Sequence, residues 1–291
     1  MDKVLIEGVE IALAHPDEFP LEWKGRRDLL DQLLAAWLVV EEGDLPLHPR
    51  LVGKPGVGKT TLAYAAARST GRPAWVFQAT MDTRPEDLLV TPVVAGEGKI
   101  RYVASGVVTA MLKGGVAILD EGNRMSEKSW ASLAPLLDAR RTVESIVAGV
   151  KIRAHPDFRF VTTMNDDAST FELPDYVNSR LTPTILVDFP DEEEELAILA
   201  GNLPFAPEAL LNWVTRFLRS AHEADEPFSV RDGINVARYA LKRLSQGGGE
   251  PVERLLEAVR VGLGEEAGVP PPRARRDGPP RPGRPPRRGA A

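Results

Sequence analysis

Eight consecutive residues carry the clearest chemical signal in this sequence. Residues 53–60 read GKPGVGKT and fit the phosphate-binding pattern G-x-x-x-x-G-K-[ST]. The glycines allow consecutive backbone N–H groups to turn inward around a phosphate chain. Lys59 is expected to reach the β- and γ-phosphates, and the Thr60 hydroxyl to help hold Mg²⁺. A helix-favouring segment follows from Thr61, so the loop predicts a site for a nucleoside triphosphate.

Two acidic residues close a predicted buried strand at Val116–Leu119. Asp120 is suited to the outer shell of a Mg²⁺ ion bound by Thr60. Glu121 is suited to orient and deprotonate an attacking water. The alternative is an acidic pair that merely ends a strand in solvent, and the phosphate loop upstream favours the catalytic interpretation.

An asparagine ends a second predicted buried strand, at residues 158–164. The Asn165 amide could hold a water between the γ-phosphate and Glu121. Asparagine is also common at strand-to-loop turns without any chemical role. The spacing alone leaves both interpretations of Asn165 open.

The composition excludes several classes of site. The chain has 291 residues, and the absence of cysteine excludes disulfides and thiolate zinc sites. The four histidines are scattered and show no metal-ligand spacing. The first residues carry acids within a short apolar run, unlike a signal peptide, and no stretch approaches the roughly 18 apolar residues of a membrane span. We therefore expect a soluble, cytoplasmic protein without a membrane partner.

Charge is distributed unevenly along the chain. Residues 270–291 hold seven arginines, eight prolines and one acid, so this tail carries +6 while the rest carries −12 of the net −6. Such a tail is expected to be disordered and partly polyproline II. It could contact nucleic acid, an acidic partner or a neighbouring subunit, or have no dedicated partner. The acidic remainder argues against nucleic-acid binding by the folded body.

Alternating strand and helix signals predict an α/β fold with a parallel sheet covered on both faces. Hairpin-like segments at 89–109 and 142–154 interrupt this pattern, and four amphipathic helices follow from residue 191. The acidic run at 191–195 is interpreted as the first turn of a helix, where carboxylates suit the helix dipole. The predicted domains are a nucleotide-binding domain at 1–190, a helical lid at 191–266 and the tail at 267–291.

Together these motifs resemble the AAA+ ATPases, and more narrowly their MoxR and dynein-related branch. In that resemblance, 53–60 is Walker A, Asp120-Glu121 is Walker B and Asn165 is sensor 1. Residues 120–124 (DEGNR) resemble the branch's D-E-x-N-R, and the hairpins correspond to its helix-2 insert and pre-sensor-1 hairpin. The family implies an AAA+ P-loop core with inserted β-hairpins and a small C-terminal all-α lid. The nucleotide-binding residues carried over are Gly53, Pro55, Gly56, Val57, Gly58, Lys59, Thr60, Thr61 and Asp120.

The resemblance also implies ATP and Mg²⁺ as cofactors, Thr60 and Asp120 as metal-binding residues, and a shared catalytic site. Glu121, Asn165 and Arg231 would act within one subunit, Arg231 as sensor 2. Arg180 of a neighbouring subunit would act as the arginine finger, so hydrolysis would depend on a homo-oligomeric ring. The family implies that this ring is a hexamer. Three other arginines are rival candidates for that finger: Arg124, Arg140 and Arg141.

The function predicted from this resemblance is a chaperone-like ATPase that remodels or activates a protein client. An adaptor with a von Willebrand A domain often presents the client in this branch. The main alternative is a nucleic-acid-associated motor of a defence or restriction type, supported by the arginine-rich tail alone. A scaffold with little hydrolysis is disfavoured by Lys59, Glu121 and Asn165, and a GTPase by the lack of an Asn-Lys-x-Asp motif.

Overall fold

The structure is a computed structural model that describes residues 2–20, 22–167, 172–247 and 249–268. Numbered in chain order, the strands are β1 Lys3–Ile6, β2 Val9–Ala12, β3 Arg50–Gly53, β4 Ala74–Gln78, β5 Val90–Val94, β6 Ile100–Ala104, β7 Val116–Asp120, β8 Thr142–Ser145, β9 Val150–Arg153, β10 Arg159–Asn165 and β11 Thr184–Leu186. The helices are α1 Arg27–Trp37, α2 Lys59–Ser69, α3 Pro85–Leu88, α4 Gly106–Lys113, α5 Glu127–Leu133, α6 Asp175–Asn178, α7 Glu192–Asn202, α8 Glu208–Glu223, α9 Val230–Gly247 and α10 Pro251–Leu263. The predicted tail lies outside the described residues from position 269 onward.

A five-stranded sheet forms the centre of the molecule, in the order β11–β3–β10–β7–β4. Every neighbouring pair in it runs parallel. The carboxyl ends of parallel strands meet at one edge, which is where ligands bind in open α/β sheets. Gly53, Asp120 and Asn165 each end a strand at that edge. The predicted α/β class with a parallel sheet is confirmed.

Helices cover both faces of this sheet because its strands carry apolar side chains on alternate sides. On β7, Val116 and Ile118 pack into a buried cluster with α1 and α2. Ala117 and Leu119 point the other way, into a cluster that includes α4 and α5. All four side chains are fully buried, so the strand that carries Asp120 is fixed from both sides.

The free edge of β4 is covered by the segment that follows β2. The Asp17 backbone N–H donates to Ala74 O at 2.9 Å, and the Val76 N–H donates to Asp17 Oδ2 at 2.7 Å. The Trp75 indole N–H donates to Ala14 O at 3.2 Å. These bonds satisfy strand groups that would otherwise be open to pairing with another chain.

The first predicted hairpin is present as the antiparallel pair β5–β6, with its turn at Gly96–Gly98. It belongs to a larger sheet, β1–β2–β6–β5, in which β2 pairs parallel with β6. This contribution from the N-terminal segment was not predicted from the sequence. The pairing joins residues almost a hundred positions apart, for which no local pattern exists.

The prediction that the hairpin extends to Thr109 is wrong, because α4 begins at Gly106. Ser105 caps this helix: its hydroxyl accepts from the Val108 N–H at 3.1 Å and donates to Leu88 O at 2.6 Å. Val107 and Val108 are buried in the core of the sheet domain. The second hairpin, β8–β9, is present as predicted, with Ile146 at its tip 90% exposed.

The helices α7–α10 share an apolar cluster of their own, which includes Leu199, Leu218, Ala237 and Val259. The acidic run starts α7 as predicted, with Asp191 and Glu194 forming a reciprocal capping box. Glu195 differs from its neighbours because it is fully buried. The interpretation of this run as a first helical turn is confirmed, and the burial of Glu195 is a feature that it did not include. The domain boundary at 190/191 stays a prediction.

Replacing the α4 cap tests the buried position of this helix. We expect Ser105→Ala to lower the free energy of unfolding by about 1 kcal/mol, because an N-cap bond and a bond to Leu88 are lost together. The measurement is chemical unfolding followed by circular dichroism. Ser220→Ala, at an exposed position of α8, is the matched control and should change stability little. Equal stability of both variants would contradict the cap.

Candidate nucleotide site

The phosphate loop connects β3 to α2 and needs glycine at two positions. Gly56 and Gly58 have φ angles of 81° and 94°, a region that L side chains rarely adopt. A Cβ on Gly56 would also lie 2.3 Å from the Ser229 hydroxyl oxygen. The helix begins at Lys59, two residues earlier than predicted, so its free N–H groups face the loop directly.

Lys59 is buried beneath this loop, with 6% of its surface exposed. Its ammonium donates to the carbonyl oxygens of Gly53 and Lys54, each at 2.8 Å. Burial lowers the pKa of Lys59 to about 8, although Asp120 and Glu121 act in the opposite direction. Burial thus disfavours the charged form of Lys59, whereas a bound phosphate would favour it.

Asp120 links two elements through one oxygen. Its Oδ1 accepts hydrogen bonds from the hydroxyls of Thr60 on α2 and Thr163 on β10, each at 2.6 Å. A hydroxyl and a carboxylate side by side are oxygen ligands that Mg²⁺ accepts together with substrate phosphates. Among the described residues, no group of three or more His, Asp or Glu side chains could hold a metal ion by itself. Thr60 and Asp120 therefore suit a Mg²⁺ ion whose remaining ligands include the phosphate oxygens of a bound nucleotide.

Glu121 is held at several points. Its φ of 55° places it in the left-handed region, a conformation that costs free energy in a non-glycine residue. The backbone N–H donates to the Thr163 hydroxyl at 2.9 Å. One carboxylate oxygen accepts from the Asn165 amide at 2.9 Å and the other from Arg124 Nε at 2.5 Å. The predicted pair Glu121 and Asn165 is thus in direct contact.

Two residues without a predicted role complete this arrangement. Thr163 bonds to both Asp120 and the Glu121 backbone. Asn123 donates to Asn165 O at 2.8 Å and accepts from its N–H at 3.3 Å, which fixes the end of β10 beside β7. Asn123 stands in the DEGNR segment, so its position was a signal. Thr163 looked like any polar residue in a strand.

Arg231, at the start of α9, lines the same cleft as the phosphate loop and both acids. The Cβ atom of Arg231 lies 3.4 Å from the position that a Cβ on Gly56 would take. The structure therefore brings a helix of the C-terminal cluster up to the loop. The residues around the cleft are Pro55, Gly56, Gly58, Lys59, Thr60, Thr61, Asp120, Glu121, Thr163, Asn165 and Arg231.

Arg180 is not among the described residues that line this cleft. Its guanidinium donates to Tyr176 O at 2.5 Å and lies 3.6 Å from an oxygen of Asp138. Arg140 holds the same carboxylate through both of its oxygens and lowers the pKa of Asp138 to about 2. Arg180 and Arg140 thus share one acidic anchor away from the cleft.

The other rival arginines have contacts within their own chain. Arg141 is buried, with its guanidinium donating to His155 O and Phe158 O at 3.1 and 3.3 Å. Arg124 bonds to Glu121 and lies 3.9 Å from an oxygen of Asp167. These contacts favour structural roles for Arg141 and Arg124 over a role at a neighbouring subunit.

Trp23 was not identified as a site residue from the sequence. Its ring lies 3.2 Å from the position that a Cβ on Gly58 would take. The indole N–H reaches Arg26 O at 3.4 Å, which holds the ring beside the phosphate loop. The only sequence signal was a tryptophan before α1, and nothing local connects it to Gly58.

A parallel sheet, a glycine loop leading into a helix and acids on the adjacent strand end define a P-loop nucleotide-binding domain. Residues 50–181 match the model of the AAA domain of the dynein-related subfamily. Residues 50–181 thus carry an AAA domain of that subfamily, in agreement with the predicted resemblance.

Curated relatives agree at modest identity. The chain is 31% identical over 155 residues to protein MoxR of Paracoccus denitrificans, an alignment covering 53% of this chain and 44% of MoxR. It is 26% identical over 218 residues to the gas vesicle ATPase GvpN of Ancylobacter aquaticus, covering 67% of this chain and 60% of GvpN. The matched part is thus about half of each relative.

Among solved structures, the fold is similar to the Holliday junction branch migration motor RuvB of Thermotoga maritima. The TM-score is 0.55 at 18% identity, covering 81% of this chain and 70% of RuvB. At this identity the likeness concerns the fold, including the helices after the sheet. No helix in the described ranges is both long and apolar enough to cross a bilayer.

The buried ammonium of Lys59 predicts a pH dependence of nucleotide binding. A bound phosphate should raise the Lys59 pKa above its value of about 8, so binding takes up a proton at higher pH. We expect affinity for a fluorescent ATP analogue to fall as pH rises from about 7.5 to 9.5, by at most about tenfold per pH unit. Titration calorimetry in buffers of different ionisation enthalpy measures the uptake directly.

Lys59→Arg is the matched variant, because arginine stays charged across this range. It should bind with an affinity that is nearly constant in pH, whatever its absolute strength. Proton release by the wild-type chain, or the same pH dependence in Lys59→Arg, would show that another group is responsible.

Proposed function

We propose that this protein hydrolyses ATP at the cleft around Lys59, with Mg²⁺ as cofactor. The observation that carries the proposal is the continuous set of hydrogen bonds from Thr60 through Asp120 and Thr163 to Glu121 and Asn165. This set connects the metal-facing and water-facing groups that hydrolysis of a phosphoanhydride requires. The AAA domain and the likeness to GvpN, itself described as an ATPase, support the same reaction.

Phosphoryl transfer depends mainly on positioning and on neutralising charge. The loop N–H groups and the first turn of α2 would bind the phosphates, and Lys59 would face the β- and γ-phosphates. Thr60 and Asp120 would hold Mg²⁺, which when bound neutralises charge on the phosphate oxygens. Arg231, on the opposite side of the cleft, would add positive charge within the same subunit.

The attacking water belongs beside Glu121. This carboxylate accepts the proton of the water, while the Asn165 amide keeps the carboxylate in place from one side. Arg124 fixes the second oxygen at 2.5 Å. The Asn123 bonds hold the backbone of Asn165, so the geometry of the base is set by two strand ends rather than by a loose side chain.

A second subunit is proposed to complete the site. Arg180 contacts Tyr176 and Asp138 and does not line the cleft of its own chain, so it could take part in hydrolysis only at the cleft of a neighbouring subunit. An arginine that arrives from another subunit stabilises charge in the transition state and ties hydrolysis to assembly. The proposed assembly is a homo-oligomeric ring in the cytoplasm, with the six subunits that the family resemblance implies.

The work done by the ring is proposed to be the remodelling or activation of a protein client. The hairpin tips carry exposed apolar side chains, namely Val94, Ile100 and Ile146 at 78%, 65% and 90% exposure, which suit contact with protein. The likeness to MoxR supports this class. The adaptor with a von Willebrand A domain enters the proposal from the family resemblance of the sequence alone. The net charge of −12 outside the tail disfavours the nucleic-acid motor for the folded body.

Removing the base tests hydrolysis directly. We expect Glu121→Gln to lower kcat by about a hundredfold or more while ATP still binds, because the amide cannot accept the water proton. Phosphate release and binding of a fluorescent ATP analogue measure the two steps separately. Glu253→Gln, at an exposed position of α10, is the control and should match the wild type. Full activity of Glu121→Gln would refute the assignment.

Mixing two inactive variants tests the shared site. Arg180→Ala and Glu121→Gln should each be inactive alone, whereas their mixture should regain activity. In a mixed ring, some sites pair an intact Glu121 with the Arg180 of a neighbour. Arg216→Ala is the control for loss of an exposed arginine and should be active. A mixture as inactive as its components, although light scattering shows mixed rings, would exclude Arg180 as a trans-acting residue.

A further inference from the structure

A buried acid and a buried histidine meet where the helical cluster contacts the sheet domain. Glu195 on α7 is fully buried, and His222 on α8 has 11% of its side chain exposed. Their nearest atoms, Glu195 Oε1 and His222 Nδ1, are 3.5 Å apart. Within the described residues, neither Glu195 oxygen nor His222 Nδ1 makes a hydrogen bond. The nucleotide chemistry described above uses neither residue.

One face of the His222 ring connects this pair to the phosphate loop. The imidazole stacks on Phe189, with ring centres 3.9 Å apart and planes 17° apart. The Lys54 ammonium lies 5.2 Å from the centre of the Phe189 ring, a cation–π distance. Lys54 is a loop residue whose carbonyl accepts from Lys59. His222 thus contacts the loop through one aromatic ring.

The other nitrogen of His222 connects the pair to Arg231. His222 Nε2 lies 2.7 Å from Phe228 O, and because a carbonyl only accepts, Nε2 must carry a proton and donate. Phe228 leads into Ser229, whose hydroxyl lies against Gly56, and then into Arg231 in the cleft. The His222 bond therefore fixes the chain segment that presents Arg231.

This tautomer dictates how Glu195 can interact. A neutral imidazole protonated at Nε2 has only a lone pair at Nδ1, so a contact with Glu195 needs one proton between the two groups. Burial raises the pKa of Glu195 to about 7, reinforced by Glu192 and Asp191 and opposed by Arg219. Burial also lowers the pKa of His222, as do Arg219 and Lys54, while the Phe228 carbonyl opposes them.

Both shifts favour a neutral acid that donates to a neutral imidazole. When pH rises through about 7, the acid loses its proton, and two acceptors then face each other at 3.5 Å. By linkage, the stability that the protonated Glu195 carboxyl contributes is present below its ordinary pKa and is lost as pH rises through the raised pKa of about 7. The restraint that Glu195 places on the His222 imidazole should weaken over the same pH range.

We propose that His222 is a positioning residue of the nucleotide site, which holds Arg231 against the phosphate loop, and that Glu195 fixes the imidazole in that role through a shared proton. The inference deepens the proposed function, on which it rests, by adding control of the site from the helical cluster. Arg231 would then be placed for a γ-phosphate only while residue 222 donates a hydrogen bond to Phe228 O.

Two amide substitutions separate the roles of the ring nitrogens. A glutamine amide can occupy the position of Nε2 and donate to Phe228 O, whereas an asparagine amide reaches only as far as Nδ1. We expect His222→Asn to lower kcat about tenfold, as expected for a misplaced catalytic group, while His222→Gln stays near the wild type. Adding His222→Asn to Arg231→Ala should cause no further loss. His15→Gln, at an exposed histidine, is the control.

Glu195→Gln tests the shared proton, since an amide can donate to Nδ1 at every pH. The ratio of wild-type to Glu195→Gln kcat should fall as pH rises from about 6 to 8.5, and taking the ratio cancels the titration of Lys59. The ratio of the kcat of His222→Gln to the kcat of the double variant His222→Gln/Glu195→Gln should not change with pH. Thermal unfolding of each variant, followed by circular dichroism, confirms that it is folded.

Binding of fluorescent ATP and ADP analogues keeps the test independent of hydrolysis. If Arg231 meets the γ-phosphate, His222→Asn and Arg231→Ala should reduce the preference for ATP over ADP to a similar extent. Absence of ATPase activity in the wild type would refute the proposed function but leave this comparison decisive. Equal behaviour of His222→Asn and His222→Gln, additive losses with Arg231→Ala, or a flat wild-type ratio would overturn the positioning role.

Discussion

One carboxylate oxygen joins the two elements on which the nucleotide site is built. Asp120 Oδ1 accepts from Thr60 at the start of the phosphate-loop helix and from Thr163 near the end of β10. Two charge-assisted bonds to one atom fix the distance between that helix and the sheet edge. The glycine turns, the buried Lys59 and the left-handed backbone at Glu121 are all arranged around this distance.

The electrostatics of the cleft follow from the same constraint. Lys59, Asp120 and Glu121 lie close together in a partly buried space, and bound phosphates and a metal ion would add charges of both signs. Interactions between such groups are stronger than in water, because burial lowers the effective dielectric constant. Arg231 enters from a helix with a separate apolar core, so one of these charges depends on how two cores meet.

The placement of the candidate site residues was predictable from the sequence because they occupy short motifs at strand ends. Gly53, Asp120 and Asn165 lie where parallel strands must bring them, so recognising the strands was enough to bring them together. The pairing of β2 with β6 was not predictable, since it depends on register between distant segments. Neither was the burial of Glu195, because a run of acidic residues resembles an ordinary solvated helix start.

The small sheet formed by β1, β2, β6 and β5 has a mechanical consequence. Its hairpin β5–β6 is bonded through β2 to a segment that continues along the edge strand β4, where Ala14 and Asp17 bond to Trp75, Ala74 and Val76. Farther along the same segment, Trp23 lies against Gly58. A force applied to the hairpin would therefore act through β2 on a covalent segment that reaches the phosphate loop without passing through the strands of the central sheet.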